Sequence, residues 1–287
     1  MWIAFAFGSA FFAGLVAILA KAGMHSIPST VATALRTVVV LLLAWAMVLV
    51  VGSEHTLASL DARTLVFLAL SGLATGASWL CYFRALQLGP VSQVVAVDKT
   101  SIILTVVMAM VVFGETANLL VRLLGILGIG LGTFLMLHWR PGVRGTDSGN
   151  AWLPFAALSA IFAALTTVFA KVGITSVESN LGTALRTIVV LVMAWVMVFV
   201  TGEQRHLSRI ARRDLLLLGL SGVATGASWL CYYKALQMGP VSGVVPIDKL
   251  SIAITVGLSA LLFKERVPGR SLAGLALIIA GTLAMVF

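Results

Sequence analysis

Six ionisable side chains stand well inside long apolar stretches: Arg36, Asp98 and Lys99, and, each 150 positions later, Arg186, Asp248 and Lys249. Such residues cost at least a few kcal/mol at the middle of a bilayer and are rarely left facing lipid. They are the first candidates for function. Two chemistries fit them: interhelical ion pairs that lock a bundle, or a site that meets an ionic substrate. Asp98 and Asp248 are the only embedded carboxylates, and whether any transport is downhill or proton-coupled turns on whether ion pairs lock them.

A second constellation is Ser71, Thr75, Ser78 and Tyr82, whose spacings of four, three and four keep them on one helical face beside Trp79. Ser221, Thr225, Ser228 and Tyr232 repeat it beside Trp229, and the nine-residue block ATGASWLCY is identical in both places. Small hydroxyl residues in a membrane helix also permit close packing and bond back to their own backbone. The aromatics resist that reading. Trp79 lies too deep for an interfacial aromatic belt, and a Trp and Tyr set on a polar face forms the wall of an amphiphilic substrate pocket.

Both constellations belong to a duplication. Residues 29–115 and 179–265 align without a gap and are identical at roughly half their positions. The elements that carry them are membrane helices: the chain is 60% hydrophobic and only 10% charged, with a mean hydropathy of +1.10 that no soluble core hides. Apolar runs predict spans near 2–22, 29–51, 65–87, 91–113 and 118–138, then 151–171, 179–201, 215–237, 241–263 and 269–287. Their length and lack of alternation exclude a barrel. The expected fold is therefore all-α, ten transmembrane helices as two five-helix repeats. An odd number of spans per copy inverts the second repeat, an architecture frequent in transporters. Residues 1–138 form the first repeat, 139–150 a Gly-rich linker and 151–287 the second repeat, in one membrane domain. The start, MWIAFAFGSAFFAGLVAILAK, lacks a basic leader region and reads as the first helix rather than a cleaved signal.

Gly89-Pro90 and Gly239-Pro240 mark turns, so adjacent spans are antiparallel. One set of loops carries eleven Lys and Arg, among them Arg140, Arg144, Arg205, Arg209, Arg212, Arg213, Lys264, Arg266 and Arg270, against four on the other: Arg63, Arg122, Lys171 and Lys234. The excess of basic residues puts the richer side in the cytoplasm and both termini in the periplasm. Depth arithmetic then sets Arg36 and Asp98 level, roughly 10 to 12 Å in from one face, and Arg186 level with Asp248 from the other, so two ion pairs are expected. Lys99 and Lys249 are left without an obvious anion. Each neutralises, faces a water-filled cavity, or awaits an anionic group such as a substrate carboxylate.

The embedded charges sum to plus two if all ionise, which favours anions or zwitterions, and helices 1 and 6 lack the acid that exporters of cationic drugs commonly use. Net charge +9 signals cytoplasmic loops and lipid headgroups, not nucleic acid. Enzyme chemistry is not expected. His25, His55, His138 and His206 all fall at span ends, so no Ser-His dyad forms, and HExxH is absent. Cys81 and Cys231 sit at opposite depths, about 18 Å apart, too far for a disulfide, and no metal or cofactor spacing is present. Gly125, Gly128, Gly130, Gly132, Gly274 and Gly281 fit close helix contact or a dimer face, leaving monomer and homodimer both open.

Ten spans in a five-plus-five duplication, with helices 4 and 9 ending in Phe-Gly-Glu115 and Phe-Lys-Glu265 before a final Gly-rich helix, resemble the EamA-type members of the drug/metabolite transporter superfamily. Among these, the chain is most similar to the YddG-type bacterial exporters of aromatic and other neutral amino acids. That resemblance implies export across the inner membrane. It departs from the family in having Ala96 where the second half has Pro246, and in its Asp-Lys pairs. The expected protein is an alternating-access carrier in which Lys99, Lys249 or the arginines meet a substrate carboxylate. Trp79, Tyr82, Trp229 and Tyr232 contact its side chain, with Ser78 and Ser228 beside them. Export of another small metabolite, such as a purine or an organic anion, is the alternative, followed by drug efflux.

Overall fold

A computed structural model describes residues 1–24, 27–113, 119–137, 150–173, 177–238, 244, 247–265 and 267–284. The Gly239-Pro240 turn, Pro246, Glu115, Arg140, Arg144, Arg266, His25 and His138 lie outside the described residues. Within them every regular element is helical. The first half contributes α1 (Trp2–Gly23), α2 (Ser29–Val51), α3 (Ala62–Leu88), α4 (Val91–Lys99), α5 (Ser101–Phe113) and α6 (Leu119–Met136). The second contributes α7 (Trp152–Gly173), α8 (Ser179–Val200), α9 (Arg212–Met238), α10 (Ser251–Leu262) and α11 (Gly269–Ala284). Short 3-10 turns, Ser53–Ser59 and Glu203–Arg209, join α2 to α3 and α8 to α9.

Among the described residues, seven helical stretches are long and apolar enough to cross a membrane: Trp2–Gly23, Ser29–Val51, Ala62–Leu88, Val91–Met108, Trp152–Ala170, Asn180–Val200 and Arg212–Tyr232. Leu123–Met136 and Gly269–Ala284 are shorter apolar helices. Large apolar side chains such as Phe11, Leu42, Leu127, Phe134 and Phe199 stand exposed on the outside of the bundle, where lipid rather than water satisfies them.

Two expected spans, 91–113 and 241–263, are not continuous helices. The first breaks at Thr100, directly after Lys99. There the Thr100 amide donates to Val97 O, a tightened turn, while its hydroxyl donates to the same carbonyl at 2.6 Å and competes with the helical ladder. The equivalent break falls at Leu250, whose amide donates to Ile247 O, directly after Lys249. Both Asp-Lys pairs therefore sit at helix interruptions.

The main neighbour of each long helix lies in the other half. α3 packs along α7, and α1 along α9 in the same manner; α3 also meets α8, and α2 meets α9. α2 crosses its own counterpart α8, as α6 does α11. The α6–α11 contact is made by Gly125, Gly128, Gly132, Gly274 and Gly281. A Cβ on Gly274 would lie 2.5 Å from the carbonyl oxygen of Gly132, and one on Gly281 would lie 2.8 Å from that of Gly125. Gly274→Val is expected to cost about 1–3 kcal/mol through overpacking, seen as a lower melting temperature in detergent. Gly130→Ala, which meets only Ile103 at 3.9 Å, is its neutral control.

Outside the spans, Asp61 starts α3 by accepting the Thr64 amide at 3.0 Å, which extends the helix three residues beyond the expected start. Hydrogen bonds from Thr64 hold this carboxyl below the usual carboxylate range. Its contribution is therefore present at neutral pH and is lost as pH falls through that depressed value.

Candidate functional site

Close approach of α9 to α2 sets the first part of the site. A Cβ on Gly222 would come 3.0 Å from the Arg36 carbonyl oxygen, so only a glycine there lets the helices meet at this level. Gly72 does the same for α3 against Arg186, at 2.8 Å. Across the α2–α9 contact Arg36, 1% exposed, donates from Nε to Ser221 Oγ at 2.9 Å and from Nη2 to Thr225 Oγ1 at 2.8 Å. Its guanidinium stacks 4.1 Å from the Phe83 ring centre and 5.8 Å from that of Trp79. Arg186 donates from Nη2 to Thr75 Oγ1 at 3.0 Å. Arg36 Nη1 and Arg186 Nε have no hydrogen-bond partner among the described residues.

The expected Arg36–Asp98 and Arg186–Asp248 ion pairs are not formed. Between described residues the ion pairs are Lys21–Glu265 and Glu54–His55. Depth arithmetic says which residues share a level but not which helices are neighbours. α2 packs against α8, α9 and α3, whereas α4 packs against α7, α10 and α6. The hydroxyl stripe thus receives the arginines of the opposite half. It also bonds to its own backbone, Thr75 to Ser71 O and Thr225 to Ser221 O, so both readings of that stripe hold.

The aspartates meet serines that sequence reasoning passed over. Ser159 of α7 donates to Asp98 Oδ1 at 3.0 Å, and Ser9 of α1 to Asp248 Oδ1 at 2.6 Å. Each serine also contacts the next hydroxyl of the stripe, Ser159 with Ser78 and Ser9 with Ser228, both at 3.2 Å. The signal was present: Ser9 and Ser159 are a further pair at the offset of 150, each followed by alanine.

One residue along from Ser78 and Ser228, Trp79 and Trp229 meet at 5.5 Å between ring centres, tilted by 39°. The two aromatic walls are thus one feature. Tyr82 lies near enough to both Arg36 and Asp98 to interact with their charges, while Tyr232 packs against Ala6, Ala235 and Val244. Lys99 donates to Ser251 Oγ at 3.3 Å, across the α4–α10 contact, and interacts electrostatically with Lys249, Asp98 and Asp248. Lys249 makes no hydrogen bond or ion pair with any described residue. All four charges at the two helix breaks are half-buried, and no opposite pair among them reaches salt-bridge distance.

At one end of the bundle, Glu265 caps α4 by accepting the amides of Val91 at 2.8 Å and Ser92 at 3.2 Å. Lys21 reaches its Oε1 at 3.7 Å and donates to Gly89 O at 2.6 Å, tying together the ends of α1, α3 and α10. Loss of the cap in Glu265→Ala is expected to cost about 1 kcal/mol, measured as a drop in melting temperature that Glu265→Asp partly restores.

Apolar helices in this number, enclosing a polar centre, define a multi-pass membrane protein. The EamA-like transporter family matches the chain twice, over residues 1–138 and 150–287, and the chain belongs to that family. A Sinorhizobium sp protein described as an uncharacterized transporter in the cobO 3' region is 44% identical over 136 residues, which is 47% of this chain and 96% of that relative. A solved crystal structure shares the fold with a TM-score of 0.64 at 17% identity, covering 99% of this chain and 95% of its own.

Proposed function

We propose that the protein exports neutral amino acids, aromatic and other apolar ones, by alternating access. In this reading the spans number ten, and residues 1–138 and 151–287 are inverted halves joined by the linker at 139–150. The membrane is the bacterial inner membrane, with both termini periplasmic. The reciprocal packing of α1 with α9 and α3 with α7 supports a two-fold relation between the halves, and the odd number of spans in each half makes that relation an inversion. Interrupted helices at a polar centre are also where transporters of inverted architecture place their substrate.

The observation that carries the reading is the charge quartet at the two helix breaks, with no salt bridge among its members, joined through Ser159–Ser78 and Ser9–Ser228 to the helix faces next to Trp79 and Trp229. Lys249, with no partner among the described residues, and Lys99, with only a serine hydrogen bond among them, suit a substrate carboxylate. The tryptophans suit an apolar side chain. A neutral amino acid satisfies both.

The test is counterflow into proteoliposomes with labelled amino acids, nucleobases and quaternary amines. Saturable uptake of neutral amino acids is expected. Uptake of the amines or nucleobases alone overturns the reading, and the same assay with and without a pH gradient decides coupling.

A further inference from the structure

We propose that Asp98 and Asp248 accept the ammonium group of the substrate, and that Ser159 and Ser9, each from the first helix of the opposite half, are the positioning residues that aim them. The proposal rests on the amino-acid reading above and assigns the half of the zwitterion which that reading leaves unassigned.

Three observations carry it. First, in each aspartate one oxygen is fixed by a serine hydroxyl, Ser159 to Asp98 at 3.0 Å and Ser9 to Asp248 at 2.6 Å. The second oxygen receives no hydrogen bond from any described residue, and both aspartates are half-buried. A carboxylate held by one oxygen with the other open is oriented for a charge-assisted bond to an incoming cation. Second, both arginines that might have neutralised these acids are engaged elsewhere, with Ser221, Thr225 and Thr75. Third, Lys99 stands within electrostatic reach of both acids without reaching salt-bridge distance of either.

Opposite charges held close but apart match a zwitterion, whose own two charges fill both gaps. A deaminated acid answers only the lysine, and an amine lacking the carboxylate answers only the aspartate. The serines are themselves fully buried at 0% exposure and bond across the two halves, so the aim of each acid depends on how the halves sit together. An acid whose orientation changes with the packing of the halves is positioned to take and release its ligand as they move.

The experiment is uptake into proteoliposomes of three labelled probes, L-phenylalanine, 3-phenylpropanoate and 2-phenylethylamine, by wild type and by D98N, D248N, S159A, S159T and S9A. Wild type is expected to take up phenylalanine and to reject both analogues. D98N and D248N should lower the preference for phenylalanine over phenylpropanoate about tenfold or more, the worth of one charge-assisted hydrogen bond. S159A and S9A should raise KM with little change in maximal rate, and S159T should restore it. The preference is a ratio, so partial loss of folded protein does not move it. Phenylalanine uptake with the preference intact in D98N and D248N overturns the assignment while sparing the amino-acid reading. Wild type that takes up no amino acid overturns both.

Discussion

Arg36→Met is expected to leave the stability of the purified protein within about 2 kcal/mol of wild type, while lowering transport about tenfold or more. Desolvating the guanidinium costs several kcal/mol, and no carboxylate among the described residues answers it. Against that cost stand two hydrogen bonds from a charged donor, about 1.5–3 kcal/mol each, and stacking on Phe83 worth about 2 kcal/mol. These nearly cancel, and methionine replaces much of the volume without a charge to solvate. Ser221 and Thr225 keep partners of their own in Val16 O and Ser221 O, so their hydroxyls are not stranded.

Transport responds differently, because Arg36 supplies part of the positive field at the centre and supports Trp79 at 5.8 Å. Had Arg36 been locked to Asp98, the same variant would strand a buried carboxylate and cost about 3–5 kcal/mol. Thermal unfolding in detergent beside proteoliposome uptake separates the two. A large loss of stability with normal uptake per folded molecule would make Arg36 a structural lock and remove it from the site.

The sequence made the helices legible because a bilayer sets their length, and composition alone marks the runs that meet it. Helix ends came within a few residues for most elements, α2 from Ser29 to Val51 among them. Chemistry-bearing residues were legible for the same reason, since an arginine or aspartate stands out in an apolar run. Two things were not. Which helices touch is decided by small residues such as Gly222 and Gly72 facing a particular partner, and one repeat read alone does not name that partner. The charge pairing expected for Arg36 failed on this point. The helix break after Lys99 was also hidden, because Thr100 ends α4 through a hydroxyl bond to Val97 O that a hydropathy pattern does not register. Ser9 and Ser159 fell between these cases: the repeat displays them, but a lone serine in an apolar helix reads as a packing residue until its carboxylate is seen.

The two lysines are where repetition yields a sided prediction. They occupy equivalent positions, yet Lys99 is bonded to Ser251 while Lys249 is bonded to nothing described, and its equivalent partner Ser101 receives no bond from it. One sequence position is therefore held in two states within a single conformation. If the halves exchange conformations during transport, the lysines exchange these states, and each is the free one when the carrier opens to a different face. Lys249→Met is accordingly expected to raise KM about tenfold or more when substrate is offered from one face, and Lys99→Met to do so from the other. Right-side-out and inside-out vesicles, prepared from the same variants, provide the measurement. The double variant should lose uptake from both faces, since no ammonium remains for the carboxylate. Equal effects of each single variant from both faces would show instead that the lysines act together on one bound substrate, and the exchange of states would be wrong even if both residues bind.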